Sequence, residues 1–444
     1  MRAQSILVAA VLAASSAAPA RAQTLEQCLA LARLHAPSLA AADSRVSRAD
    51  QAIREARAAL SPTLRLSANF VQNSEAQKAV FPLPGAAAPQ AIKLGSATTL
   101  DARLEGQLTL YSGGRDAALV RAAQAARAGR LVDRSQADAD LVLRVSQAYY
   151  RVLAAKRLES AAGDAVRSAR AHRATSAARV AAGVAPRLDS LRAQVDLSQR
   201  STALVRSTEA VRLARVELES AIGAPLDSAA SLVEPGSPPP ELPELAPALE
   251  RARHDRPEFA TLDAALRENQ LRFDAARAAR RPTVSLNATA QYLGPNRDEN
   301  YWDPSDPGLR THRLFAGVGV SMPLFDAGLA DARAGEIAAD RVGLEARRKE
   351  TEWGVRRDVE QALSDLRVAL DEWQAGSGRV ATAREALRIA EAGYKGGTVN
   401  ATDVRDAESA LADARSDEAQ SLMDYWTARA AFDHATGAAT RKEH

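Results

Sequence analysis

The residues best placed for chemistry are acids rather than nucleophiles. Asp403 and Asp406 stand three positions apart, just past the glycine pair Gly396-Gly397. On a helix they share one face, one turn apart. Acids are favoured near any helix N-terminus, so a solvated helix end is the alternative reading of the same pair. The six histidines, at 35, 172, 254, 312, 434 and 444, are scattered. None stands at metal-ligand spacing from another His, from Cys or from clustered acids. There is no Gly-x-Ser-x-Gly, phosphate loop or dinucleotide fingerprint. No catalytic residue, cofactor or metal site is therefore expected, and the chain does not read as an enzyme. The single cysteine, Cys28, excludes an intrachain disulfide and reads as an ordinary residue on an apolar helix face.

The start of the chain reads as a secretory signal. Arg2 precedes a short apolar run from Ile6 to Ala14, and Ala20-Arg21-Ala22 offers a small-x-small cleavage site. Residues 1–22 are assigned to the signal, and the mature chain begins at Gln23. Losing Arg2 and Arg21 lowers the formal charge from +3 to +1. With both signs interleaved and no basic block, nucleic acid is not an expected partner. No later segment approaches the ~18 apolar residues of a membrane helix. If the chain enters a membrane, it does so as a closed β-barrel.

The elements that position these residues come in two copies. His35-Ala36-Pro37 resembles Asp255-Arg256-Pro257, and Ser61-Pro62-Thr63 resembles Arg281-Pro282-Thr283, both at an offset of 220. Leu110 to Gly114 matches Leu324 to Gly328, Gly183 to Asp189 matches Gly397 to Asp403, and Ala221 to Gly223 matches Ala435 to Gly437, all at 214. The first repeat is placed at 23–230 and the second at 245–437, followed by a tail at 438–444. Between them, 231–244 carries Pro235 and Pro238-Pro239-Pro240, which no helix continues through.

Each repeat is expected to open with a helix of about 35 residues (25–60 and 245–280) that ends before a proline. Two alternating stretches follow, about 62–78 and 98–111 in the first repeat and 282–293 and 312–325 in the second. Leu64, Leu66, Ala68 and Phe70 alternate with Arg65, Ser67 and Asn69; Leu314, Ala316, Val318 and Val320 alternate with Phe315, Gly317 and Gly319. Period two marks strands with one apolar face. Their length suits tilted crossing of a bilayer, ~9–11 residues. The intervening segments 79–97 and 293–312 read as loops. The rest is helix. Val355, Val359, Leu363, Leu366, Leu370 and Trp373 form one packing seam, and Leu141, Val145, Ala148, Val152 and Ala155 another. Glycines break the pattern near 183–188 and 396–402, making a hairpin of each long helix pair.

Four strands cannot close a barrel, and open edges are not tolerated in lipid, so the chain must oligomerise. Helices of some 65 residues reach roughly 100 Å. A duct across a wide aqueous compartment needs that length; a compact enzyme does not.

Signal, proline-ended first helix, strand pair, helical hairpin and duplication together resemble the TolC-like outer-membrane factor family over essentially the whole mature chain. The most specific segments are Gly183 to Asp189 and Tyr394 to Asp406. The resemblance implies an α+β membrane protein. In it, a homotrimer shares one twelve-stranded outer-membrane β-barrel, four strands per chain, continued by a coiled-coil periplasmic tunnel. It implies the exit duct of a tripartite efflux pump or type I secretion system. The partners would be outer-membrane lipid, a periplasmic adaptor (membrane fusion) protein and an inner-membrane transporter of RND, ABC or MFS type. Asp403 and Asp406 match an aspartate pair lining the periplasmic entrance, and three copies would stack two carboxylate rings. Tyr394 and Asp189 match residues whose hydrogen bonds hold that entrance shut. Gly183, Val184, Leu188, Gly397, Thr398 and Val399 match the turns that dock on the adaptor. Val399 stands where other members have a latch arginine, and Leu188 where they have a hydroxyl residue, which implies a lock that is weaker or built differently. A soluble periplasmic coiled-coil adaptor is the alternative reading; it would explain export and helices but not four duplicated alternating stretches.

Overall fold

The computed structural model describes residues 23–75, 78–81, 90–93, 98–227, 231–294 and 311–438. The expected signal segment lies outside these. The described chain forms two compact units. One holds residues up to 45, 131–261 and 348 onward; the other holds 46–130 and 262–347.

The second unit carries a four-stranded antiparallel sheet. Its strands are β1 (Thr63–Gln72), β4 (Thr98–Tyr111), β5 (Thr283–Gly294) and β6 (Thr311–Ser321), in the order β1-β4-β5-β6. Two short strands, β2 (Lys78–Phe81) and β3 (Gln90–Lys93), pair with each other. They occupy a segment expected to be plain loop, and β1 stops at Gln72 rather than near 78. β6 stops at Ser321 rather than 325, because Pro323 supplies no ladder donor. The register aligns the side chains of the two repeats. Leu66 faces Leu104, which faces Ala290, which faces Leu314. One apolar face therefore runs across all four strands, and it is bare: Leu66, Leu314 and Val318 are exposed. The opposite face is mostly polar. There Arg103 pairs with Asp101, and Gln291 Nε2 donates to the same carboxylate at 2.9 Å. β1 and β6 are edges whose outer backbone groups have no partner strand within the sheet.

Helices enter and leave the sheet through built turns. Gly113 and Gly114 (φ 66° and 89°) return the chain to α3 (Arg115–Ala181), and Ala327 and Gly328 (φ 52° and 83°) return it to α7 (Leu329–Gly396). Arg281 locks the first of these, donating to the Gly113 carbonyl at 2.9 Å.

The first helix of each repeat is not continuous. It divides into α1 (Leu25–His35) and α2 (Pro37–Ala58), and into α5 (Leu245–Asp255) and α6 (Pro257–Ala278). Ala36 and Arg256 take extended backbone (ψ 120° and 125°), because the proline that follows each disfavours helix there.

The other unit is helical: α1 and α5, most of α3 and α7, and all of α4 (Arg187–Ile222) and α8 (Ala401–Ala435). Its two larger apolar clusters use the seams seen in the sequence. One gathers Cys28, Leu141, Val145, Tyr149, Val152, Leu153, Leu218 and Ile222; the other gathers Val355, Val359, Leu363, Leu366, Tyr425 and Phe432. Burial pushes the Cys28 thiol up to about 11, so it stays protonated and inert. Tyr149 Oη shares its hydrogen between the Gln23 and Val233 carbonyls (3.0 and 2.7 Å), tying both segments to α3. No described helix is long and apolar enough to cross a membrane.

A face that meets lipid must reject charge. Val318→Arg should cost about 2–4 kcal/mol in equilibrium unfolding from phospholipid vesicles. Ser285→Arg, on the polar face, should cost less than half as much; equal costs would refute this assignment of faces.

Candidate functional site

The site is assembled from two helix turns of the helical unit. At the first, α3 closes in a Schellman turn. Gly183 takes φ 71°, and the Val184 amide donates to the Arg179 carbonyl at 3.0 Å. Pro186 then starts α4 without a side-chain cap, and Asp189 sits in its first turn. At the second, Gly397 takes φ 77° and the Thr398 amide donates to the Gly393 carbonyl at 2.9 Å. Here only glycine fits one helix turn earlier: a Cβ on Gly393 would lie 2.5 Å from Val399 Cγ2. Val399 thus folds back onto its own hairpin.

The second turn is capped where the first is not. Asn400 accepts from the Asp403 amide at 2.9 Å, and the Asp403 carboxylate accepts from the Asn400 amide at 3.3 Å. This is a reciprocal cap. Asp403 is thereby tied to the backbone while still exposed. Asp406 is exposed and lies 3.2 Å from the Arg405 guanidinium. The two acids do share a helix face, but neither is a bare charge. Val184 (65 % exposed) and Leu188 (53 %) present apolar surface at the first turn, a poor arrangement for a free chain end in water.

Tyr394 and Asp189 are not joined. Tyr394 is buried, yet its hydroxyl has no hydrogen-bond partner among the described residues. Asp189 instead lines a small cleft with His172, Arg192, Asp196, Thr402 and Arg405. What holds Tyr394 is Arg179 on α3. Its guanidinium donates to the Tyr394 carbonyl at 2.6 Å and lies 4.4 Å from the ring centroid. The His172 ring also packs on Tyr394, 5.8 Å between centroids.

Further along, Glu408 of α8 is buried and accepts from Ser168 Oγ of α3 at 2.9 Å. Burial raises its carboxyl above the ordinary range, and Asp196 adds to the rise. The Ser168 hydrogen bond, His172 and Arg200 oppose it. Arg179, Ser168 and Glu408 were not singled out from the sequence. Their signal was available: polar residues at helical spacing where a seam should be apolar.

Four strands with one bare apolar face, and long helices ending in glycine turns, define an outer-membrane channel subunit. The chain belongs to the outer membrane efflux protein family, whose description matches residues 28–224 and 248–438, both repeats. Outer membrane protein TolC of Salmonella enteritidis is 24 % identical over 144 residues, 32 % of this chain but only 28 % of that protein. Among solved structures, VceC of Vibrio cholerae superposes with a TM-score of 0.72 at 20 % identity, covering 93 % of this chain and 96 % of that one. The Campylobacter jejuni CmeC outer membrane channel gives 0.77 at 15 % identity, covering 95 % and 87 %. The open state of the Neisseria gonorrhoeae MtrE outer membrane channel gives 0.71 at 20 %, covering 93 % and 88 %. The fold is thus that of trimeric channels with four strands per chain and long helices, duplicated within the chain. The protein sits in the outer membrane with its helical tunnel in the periplasm. The family is one of outer-membrane channel proteins, which speaks against the soluble adaptor reading.

A buried carboxyl with a raised pKa favours the folded state while protonated. That contribution is complete below its ordinary value of 4.5 and is lost as pH rises through the raised value. Glu408→Gln should therefore melt progressively higher than the natural protein as pH rises from 4.5 toward neutrality. A melting difference independent of pH would show that Glu408 does not titrate in this window.

Proposed function

We propose that this chain is the exit duct of a tripartite efflux pump or type I secretion system. In this reading, the turns at Gly183–Leu188 and Gly397–Val399 are its periplasmic entrance and adaptor-docking tips. The observation that carries the reading is the pairing of exposed apolar residues, Val184 and Leu188, with helix-end carboxylates, Asp403 and Asp406, on the turns of one helical unit. Apolar residues on a tip favour a partner that buries them. Carboxylates repeated by three-fold symmetry set the charge preference of what passes. Tyr394 belongs to the same end, and Asp189 lines the cleft beside it.

The mechanism follows from how these groups are held. Asp403 is oriented by the Asn400 cap, so its charge stays at the mouth whatever the conformation of its exposed neighbours. Arg405 offsets part of the Asp406 charge, which leaves a moderate cation preference rather than a strong one. An adaptor would bind through the apolar tips, and an inner-membrane transporter of RND, ABC or MFS type would supply the driving force. The cargo is selected by those partners.

The double substitution Asp403→Ala with Asp406→Ala should lower the cation-to-anion permeability ratio in a planar bilayer and weaken block by divalent cations. Unchanged selectivity would remove the two acids from the conduction path. Leu188→Asp should abolish cross-linking to the adaptor in cells without altering trimer migration on gels; retained cross-linking would remove this turn from the docking tip.

A further inference from the structure

The packing of α3 changes character along its length. Its upper part is buried through Leu141, Val145, Val152 and Leu153, in one apolar cluster with α4. Toward Gly183, its buried positions are fewer and mostly lack large side chains: Val166, Ala169 and Ser176. There α7 and α8 keep an apolar cluster of their own, Val380, Leu411 and Ala414. Polar contacts join α3 to that pair. Asp164 meets Arg415 at 3.4 Å, Ser168 meets Glu408 at 2.9 Å, and Arg179 grips Tyr394 through both its carbonyl and its ring.

Such a seam behaves unlike an apolar one. Separating apolar surfaces exposes area to water at a cost that grows with the area. Separating polar pairs lets water replace each bond, so the net cost per pair is small. The Arg179 contact is the one that reaches the turn itself. Its acceptor is a carbonyl in the last turn of α7, which also accepts from the Gly397 amide at 3.2 Å; at this end of a helix a cation is favoured. Three buried atoms here, Arg179 Nε, Ser176 Oγ and Tyr394 Oη, have no partner among the described residues, so this arrangement is incompletely satisfied.

We propose that Arg179 is the residue that positions the second turn in the resting state. It clamps the C-terminal end of α7 to α3, with Ser168–Glu408 as a second, upper fastening. This rests on the reading of the turns as the channel entrance. The clamp grips the backbone and ring face of Tyr394, not its hydroxyl. Asp189 has no part in it.

Single-channel conductance of the purified trimer in planar bilayers tests the clamp. Arg179→Ala should raise conductance several-fold, with helix content and trimer migration unchanged. Arg179→Lys, which keeps a donor but loses the planar stack, should fall between. Tyr394→Phe and Asp189→Ala should match the natural protein, because neither removes a clamp contact. The proposal is overturned if Arg179→Ala conducts like the natural protein, or if Tyr394→Phe opens the channel as far as Arg179→Ala does. The Asp403/Asp406 selectivity measurement separates the two levels. Altered selectivity with an unresponsive Arg179 variant sinks the clamp alone. Unaltered selectivity with an unresponsive Arg179 variant sinks the entrance reading and the clamp together.

Discussion

Everything in the sheet depends on one requirement: in hydrocarbon, every backbone donor and acceptor must find a partner within protein. Within one chain, β4 and β5 meet this on both sides, and β1 and β6 on one side only. The remaining edges have no soluble solution, because the adjoining face is apolar and bare. Closure by further copies satisfies the edges and turns that face to lipid in one step. The duplication serves this end. Its two strand pairs join through β4 and β5, with side-chain parity kept across the join, so Leu104 and Ala290 fall on the same face.

The helices face a different constraint. In a folded protein most helical stability comes from packing one face on a neighbour, so a long helix needs a partner along its length. Alanine-rich faces allow close approach but bury little area each, so the large residues Tyr149, Leu153, Leu366, Tyr425 and Phe432 concentrate in two clusters. Elsewhere the helices rely on smaller contacts and ion pairs, and those ion pairs that are exposed contribute little. The firmly packed region lies away from the turns. The turn ends are held by hydrogen bonds and one stacked guanidinium, a distribution suited to a part that must rearrange while the rest stays put.

The two repeats diverge where symmetry would be a hindrance. Pro186 and Asn400 are equivalent positions, as are Asp189 and Asp403. The change from proline to asparagine converts an uncapped start into a reciprocal cap and draws the second acid into it, leaving the first free to line a cleft. Val399 likewise packs on Gly393 of its own hairpin.

The sequence by itself determined the period of each element, and with it the strands, the helices, their order and the turns. These are local properties: alternation shows which face of a strand is apolar, and proline and glycine act on the backbone where they stand. It did not show the kinks at Ala36 and Arg256, although Pro37 and Pro257 were in view, because apolar spacing continued across them. It did not show the β2–β3 pair, whose four-residue strands are too short for a periodic signal. The partners of Tyr394 and Glu408 were decided only by the tertiary structure. Arg179 lies 215 residues from Tyr394, and Ser168 lies 240 from Glu408. A polar residue on a helix can face water or a neighbour with the same local sequence. Only the packing of α3 against α7 and α8 settles which.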